Sequence, residues 1–320
     1  MKNSIKYFAT LFAALAIATG CNVADTNEDE TTEVISKIVY LSNMDGPTDI
    51  YTSNADGSDQ KRLTTNDFME SSPSISPDGS MIAYSQQGVI MTMNIDGSGL
   101  KVITSDDCND EDECIEPSWS PDGDKIAYSS AGDIYVMNAD GSESTNITDN
   151  RNAIEYAPKW SPDGSEIAFT QKIQSAAGTL DAEIVIINVE TKEQIQVTNN
   201  EVDDEYADWS PDGTELVHVR TDDAGDVRLY ISRVSEPNSA ELPGLAAGKI
   251  DLEASPCWSG DGYIYFTSVE TIEEGMNKAK ATSHNASRSN RSSGITSDIV
   301  TDGDTKGLTC TKRLDKASPL

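Results

Sequence analysis

Short apolar runs recur along this chain at fixed places in a longer pattern. Met81-Ile82-Ala83-Tyr84, Lys125-Ile126-Ala127-Tyr128 and Glu166-Ile167-Ala168-Phe169 are three copies of one run. A second run follows it, as in Asp133-Ile134-Tyr135-Val136-Met137-Asn138. A shorter one ends the unit at Arg62-Leu63-Thr64, Val102-Ile103-Thr104, Asn146-Ile147-Thr148 and Gln196-Val197-Thr198. Ahead of the first run stands Pro-x-Trp, at Pro117-Ser118-Trp119, Pro158-Lys159-Trp160 and Pro256-Cys257-Trp258; Trp209 and Ile75 hold the Trp place in two other copies. The runs are rich in β-branched and aromatic residues and bounded by Gly, Pro and Asp. They predict four short strands per unit.

Two turns punctuate each unit. Ser76-Pro77-Asp78-Gly79 recurs at 120–123, 161–164 and 210–213, and in altered form at Ser259-Gly260-Asp261-Gly262. The starts lie 44, 41, 49 and 49 residues apart. Asp-Gly-Ser recurs at Asp56, Asp96 and Asp140. Pro presets φ, Asp bonds its own backbone and Gly supplies positive φ where the hairpin returns. Trp is large enough to fill the wedge between neighbouring units. Four-stranded units at this period are the signature of propeller blades. Repetition gives these turn and Trp residues a packing role rather than a catalytic one.

Pro-x-Trp-Ser-Pro-Asp-Gly, then Ile-Ala-Tyr, then Asp-Ile-Tyr-Val-Met-Asn-x-Asp-Gly-Ser, then Leu-Thr resembles the TolB-like family of WD-repeat-like β-propellers. The resemblance runs over residues 36–320. It implies an all-β fold, a six-bladed β-propeller of four-stranded antiparallel blades. Blade one would be strands at 37–42, 49–54 and 61–64. Blades two to five would follow from Pro73, Pro117, Pro158 and Ala207, and blade six from Pro256. In blade six the second strand is expected at 263–267 and the third only at Asp298-Ile299-Val300, with residues 269–297 a disordered insertion. Lys316-Ala317-Ser318-Pro319-Leu320 would supply the missing inner strand of blade one, so that N- and C-terminal strands close one blade; a truncated seven-bladed chain is the alternative. The resemblance says less of function, because such blades serve as scaffolds, as periplasmic assembly factors and beside hydrolase domains.

Residues 1–20 read as a secretory leader, with Lys2 and Lys6 before an apolar run. Ala18-Thr19-Gly20-Cys21 resembles a bacterial lipobox, which makes Cys21 a lipidated anchor and residues 21–35 an acidic tether. Cleavage after Gly20 with a free Cys21 is the plainer reading. The expected place is a bacterial envelope membrane, most readily the outer one, reached through the lipid alone. Removing the leader leaves 21 Lys and Arg against 55 Asp and Glu. That balance excludes nucleic acid, which needs basic surface, and disfavours docking on anionic lipid. It suits solubility, a cationic partner or Ca²⁺. Cys108 and Cys114 bracket one acidic loop and are expected to form a disulfide, with a metal site as the alternative. Cys257 is expected as a buried free thiol; the state of Cys310 is open.

Antiparallel order puts the two regular turns of each blade on one face. The variable loops at 105–116, 149–157, 199–206, 235–254, 171–182 and 269–297 then share the other, where binding is expected. Five residues before each Trp place stand Glu70, Cys114, Glu155, Asp204 and Glu253. These positions begin the inner strand, so Glu70, Glu155, Asp204 and Glu253 would ring the channel mouth and attract a Lys- or Arg-bearing segment or a hard cation. The plainer reading is a solvated acid inherited with the repeat. Lys278, Lys280, Arg288 and Arg291 in the insertion offer a recognition arm as an alternative to disorder. His218 takes the place of Tyr84, Tyr128 and Phe169 and reads as a core residue; His284 lies in the insertion. No Gly-x-Ser-x-Gly or His-Glu-x-x-His motif occurs. Some related propellers precede a serine-peptidase domain, but this chain ends where the ring is expected to close. The expectation is a non-catalytic envelope lipoprotein binding an envelope protein or peptide, with no required cofactor or metal. The rivals are a Tol–Pal-like assembly factor, and a cation or carbohydrate binder or weak hydrolase using the mouth carboxylates. The TolB-type assembly proteins carry an extra N-terminal α/β domain, and only about fifteen residues separate the leader from the first strand here. Partners of that domain are therefore not implied.

Overall fold

The apolar runs pair as antiparallel strands, each run crossing the next through one of the two turns. The computed structural model describes residues 37–42, 46–54, 58–104, 108, 113–174, 180–222, 224–239, 249–250, 255–258, 263–272, 276–285 and 297–299. The leader, Cys21, the tether, Glu253, Cys310 and the segment 316–320 lie outside them. Blade one is β1 (Lys37–Ser42), β2 (Asp49–Asn54) and β3 (Lys61–Arg62). Blade two is β4 (Glu70–Ile75), β5 (Met81–Gln86), β6 (Val89–Asn94) and β7 (Lys101–Val102). Blade three is β8 (Cys114–Trp119), β9 (Lys125–Ser130), β10 (Asp133–Asn138) and β11 (Thr145–Asn146). Blade four is β12 (Ala153–Trp160), β13 (Glu166–Gln174), β14 (Leu180–Asn188) and β15 (Gln194–Gln196). Blade five is β16 (Asp203–Trp209), β17 (Glu215–Thr221) and β18 (Val227–Arg233).

A sixth sheet gathers β19 (Lys249–Ile250), β20 (Cys257–Trp258), β21 (Tyr263–Ile272), β22 (Met276–Asn285) and β23 (Ser297–Ile299). Here the sequence expectation needs correction. The third strand is not delayed to residue 298: β21 and β22 form a hairpin from Tyr263↔Asn285 to Ile272↔Met276. Ten-residue β21 needs a partner of its own length, and the three residues between the strands end in Gly275, a hairpin signal. The second strand was hard to see because its alternation is only Ala against Lys at 278–281.

The cores lie between blades rather than within them. Ala127 and Ile134 of blade three pack with Trp160, Ile167 and Phe169 of blade four. Val39, Leu41 and Ile50 meet Ile82, Tyr84 and Met93 across the first junction. Each buried Ile or Leu contributes roughly 1.5–3 kcal/mol, and each blade is stabilised only by its neighbours. The Trp wedge is also hydrogen-bonded: the indoles of Trp160 and Trp209 donate to the Ser118 and Lys159 carbonyls of the preceding blade at 3.1 and 3.0 Å.

The Ser-Pro-Asp-Gly turn works as its residues suggest. Ser76 Oγ donates to Asp78 Oδ1 at 2.6 Å, and the Ser80 amide donates to the same oxygen at 3.0 Å. The turns also stack. A Cβ on Gly123, Gly164 or Gly213 would lie 3.2–3.6 Å from the proline ring of the previous turn, Pro77, Pro121 or Pro162.

Candidate binding channel

The acids that share one repeat position are held in the channel wall and are not an exposed ring. Glu70, Glu155 and Asp204 are buried. Glu70 accepts hydrogen bonds from Thr64 Oγ1 at 2.8 Å, Asn66 Nδ2 at 2.8 Å and Gln86 Nε2 at 2.5 Å. Thr64 also accepts from the Ile50 amide at 2.9 Å. One carboxylate thus ties the end of blade one to the first two strands of blade two. Glu155 repeats the arrangement with Gln171 at 2.8 Å. Asp204 does so with Asn200 at 2.7 Å and, in place of Gln, a two-pronged Arg220 at 2.7 and 2.8 Å. Burial raises the Glu70 and Glu155 carboxyls, and their side-chain hydrogen bonds offset only part of that. Burial also acts to raise Asp204, but the bonds from His218 and Arg220 win and hold it at about 2. Buried acids thus stand at these three positions, where the plainer reading expected solvated ones; Glu253 lies outside the described residues. Among the described residues no group of three or more His, Cys, Asp or Glu is arranged to hold a metal ion.

In blade three the same position is Cys114, and the expected disulfide to Cys108 is present, with Cα atoms 5.4 Å apart. Cys257 departs from expectation. It is buried but disulfide-bonded, to a partner outside the described residues. Its place beside a buried Trp suggested a quiet thiol, and nothing local in the sequence marks a long-range partner.

His218 is a core residue, as expected, with a polar role. Its Nδ1 lies 3.1 Å from Asp204 Oδ1 and its Nε2 lies 2.9 Å from Ser232 Oγ. In an open cleft this chain of groups would activate the serine. All three side chains are fully buried, so Ser232 meets no substrate in this state.

The channel is shaped by a feature not seen in the sequence reading. Each inner strand of blades two to five breaks register at one place, between Ser71 and Ser74, Ile115 and Ser118, Tyr156 and Lys159, and Glu205 and Asp208. Ser72, Glu116, Ala157 and Tyr206 sit in these bulges with φ between 50° and 58°. Bulges re-aim side chains next to functional sites. They also explain the proline of Pro-x-Trp, which follows the bulge where no ladder amide is required. The freed amides are caught by the preceding blade: Glu116 N donates to Ser85 Oγ at 3.1 Å and Tyr206 N to Thr170 Oγ1 at 3.0 Å. Ala157 N instead donates to Glu116 Oε2 at 2.7 Å, which also accepts from Ser129 at 2.9 Å.

Ser72, Glu116, Ala157, Lys159 and Tyr206 line a central cavity of about 360 Å³, with Ser255 ahead of β20 completing it. Burial raises the Glu116 carboxyl, against the pull of the Ala157 amide, Ser129 and the nearby Lys159. One position before the bulge, the Tyr156 hydroxyl donates to Glu205, whose carboxylate lies 3.7 Å from Lys172. Out at the strand starts, Met69 and Ile154 are 62% and 53% exposed, each directly before the buried acid of its blade. Phe68 and Leu180 are exposed on the same loop face.

The model of the TolB beta propeller domain matches residues 25–131 and 134–314. The chain belongs to the TolB-like β-propeller family. Residues 85–179 also match the N-terminal region of dipeptidyl peptidase IV. The crystal structure of TolB from Acinetobacter baumannii superposes with a TM-score of 0.63 at 18% identity, over 78% of this chain and 61% of that one. This TolB-like chain therefore spans less than two thirds of that protein. A putative TolB from Agrobacterium tumefaciens gives 0.61 at 17% identity, covering 79% and 89%. A chain of a nidogen/laminin complex gives 0.60 at 10%, covering 86% and 95%. At these identities the structural likeness establishes the propeller fold and nothing finer. No curated protein matches the sequence.

Proposed function

We propose that this TolB-like propeller is a non-catalytic scaffold that holds a protein or peptide partner across its loop face, anchored in a bacterial envelope by lipid on Cys21. The observation that carries this reading is the repeated exposure of an apolar residue, Met69 and Ile154, at the inner edge of that face. A repeat position inside the fold would bury such a residue; here it is left for a partner. The net charge of −32 favours a partner with basic residues around an apolar contact. The family match supports a Tol–Pal-like assembly role as a specific form of the same reading. We further propose a ring of six blades, with residues 316–320 pairing beside β1.

The test is a crosslinking pull-down from detergent-extracted envelopes. Met69→Asp with Ile154→Asp should lose the captured partner. Leu100→Asp with Val102→Asp, equally exposed but in and beside the outer strand β7, should keep it. Equal capture by both pairs would sink the loop-face assignment.

The anchor has a separate check. Cys108 and Cys114 pair with each other, so the sequence leaves Cys21 and Cys310 as the candidates to join Cys257. A lipidated Cys21 has no thiol to give. Non-reducing peptide mapping should therefore find Cys257 joined to Cys310; a Cys21–Cys257 peptide would refute the lipid anchor.

A further inference from the structure

The central cavity contains a cation without a partner. Lys159 lines it, and among the described residues its ammonium forms no hydrogen bond or ion pair, though its charge acts on Glu116. An ammonium with no protein acceptor is free to meet an anionic group of a ligand. Glu116 is half-committed: Oε2 takes the Ala157 amide and the Ser129 hydroxyl, and among the described residues Oε1 has no such bond. The rest of the lining includes Ile115 and three prolines, Pro73, Pro117 and Pro158, whose low polarity strengthens charge pairing, and Glu113, which is exposed and leaves Glu116 as the half-buried carboxylate beside Lys159. About 360 Å³ is at the small end of ligand pockets.

We propose that this cavity binds a small zwitterion of amino-acid or dipeptide size, its carboxylate on Lys159 and its ammonium on Glu116. Charge decides among ligand classes. The field of a chain at −32 repels a free anion. A simple cation would leave Lys159 unpaired and would be pushed away by it. A neutral ligand pairs with neither group. A zwitterion carries no net charge through the long-range field and satisfies both groups at short range. Tyr206, presented from its bulge, supplies an aromatic wall for the body of the ligand. This site is independent of the loop-face reading: either can fail its test while the other stands.

The probes are three dipeptide pools of identical sequence content: unmodified, N-acetylated and C-amidated. Their effect is read by thermal melting and by titration calorimetry on the full chain. The unmodified pool should raise the melting temperature saturably. Each blocked pool should need about tenfold higher concentration or more, since each loses one charge pair. Lys159→Met should melt like the wild type without ligand, because its ammonium has no bond to lose. It should also respond no better to the unmodified pool than to the amidated one. Glu116→Gln should erase the preference over the acetylated pool. If Glu116→Gln proves unstable through its Ala157 contact, the Lys159 variant decides alone. No response to any pool, equal responses to all three, or a Lys159→Met protein that discriminates as the wild type does would each overturn the assignment.

Discussion

Changing Asp204 to alanine should destabilise the protein by about 3–5 kcal/mol, the cost of leaving a buried charge without its partner. Asp204 is fully buried and takes both prongs of Arg220 at 2.7 and 2.8 Å. Arg220 itself is mostly covered, its guanidinium 4.2 Å from the centre of the Tyr230 ring. Without Asp204 it is a mostly covered cation left with the Tyr230 face and the weaker influence of Glu183, and His218 loses its neighbour at Nδ1. At ~2–4 °C per kcal/mol, melting should fall by roughly 6–20 °C. Asp204→Asn keeps the shape and one acceptor, so its loss should be smaller.

The pH profile separates this pair from its surroundings. Asp204 sits at about 2 when folded, below its ordinary 3.8. The stability it supplies is complete above its ordinary value and is lost as pH falls through 2. Glu183, buried on β14, goes the other way: burial, helped by Asp204 and Asp181, pushes it up to about 7. Its contribution is complete below its ordinary 4.5 and is lost as pH rises through 7. Burial raises Glu70, Glu116 and Glu155 in the same sense. Wild-type melting should therefore rise from pH 8 toward 5 and fall below about 4. Glu183→Gln should flatten the upper arm, and Asp204→Ala should flatten the lower. An Asp204→Ala protein that melts like the wild type at pH 7 would show the pair to be dispensable.

The same residues show what a sequence with internal repeats discloses and what it hides. Strand order, turn chemistry and the Trp wedge were legible because each is repeated and each has a local cause. The recurring acid was visible too, but its partners were not. Thr64, Asn66 and Gln86 lie up to sixteen positions from Glu70, and only the folded wall brings them round it. Position along the strand suggested a mouth; the side chain turns into the wall instead. The bulge was readable in principle, since a proline inside an inner strand cannot serve the ladder. That Ser72, Glu116 and Ala157 directly precede it with a positive φ, and that Tyr206 does the same before Ala207, required the backbone. The disulfide at Cys257 and the lone charge of Lys159 depend on long-range placement, which no local pattern encodes.

Gly141→Ala is expected to be among the most damaging small changes in the chain, because the glycine touches backbone. Gly141 has φ 93°, and a Cβ there would fall 1.9 Å from the Ile103 carbonyl oxygen and 2.8 Å from its carbon. Neither atom belongs to a flexible side chain, so the turn of blade three would have to lift off the end of blade two. That contact is reinforced by Lys101, whose ammonium donates to the Asp140 carbonyl at 3.1 Å. Left-handed strain of about 1–2 kcal/mol adds to an overpacking cost of about 1–3 kcal/mol. Two other glycines separate these causes. Gly225 has φ 77° with nothing within 4 Å, so Gly225→Ala carries the strain alone. Gly97, at the Gly141 position of blade two, meets Leu63 only at 3.4–3.5 Å and should fall between. Melting temperatures should therefore drop least for Gly225→Ala, more for Gly97→Ala and most for Gly141→Ala. Hydrogen exchange should place the added loss at the Ile103 amide, which bonds the Ile90 carbonyl at 3.0 Å. If Gly141→Ala and Gly225→Ala melt alike, the blades do not bear on one another through this turn, and the junction rests on its apolar core alone.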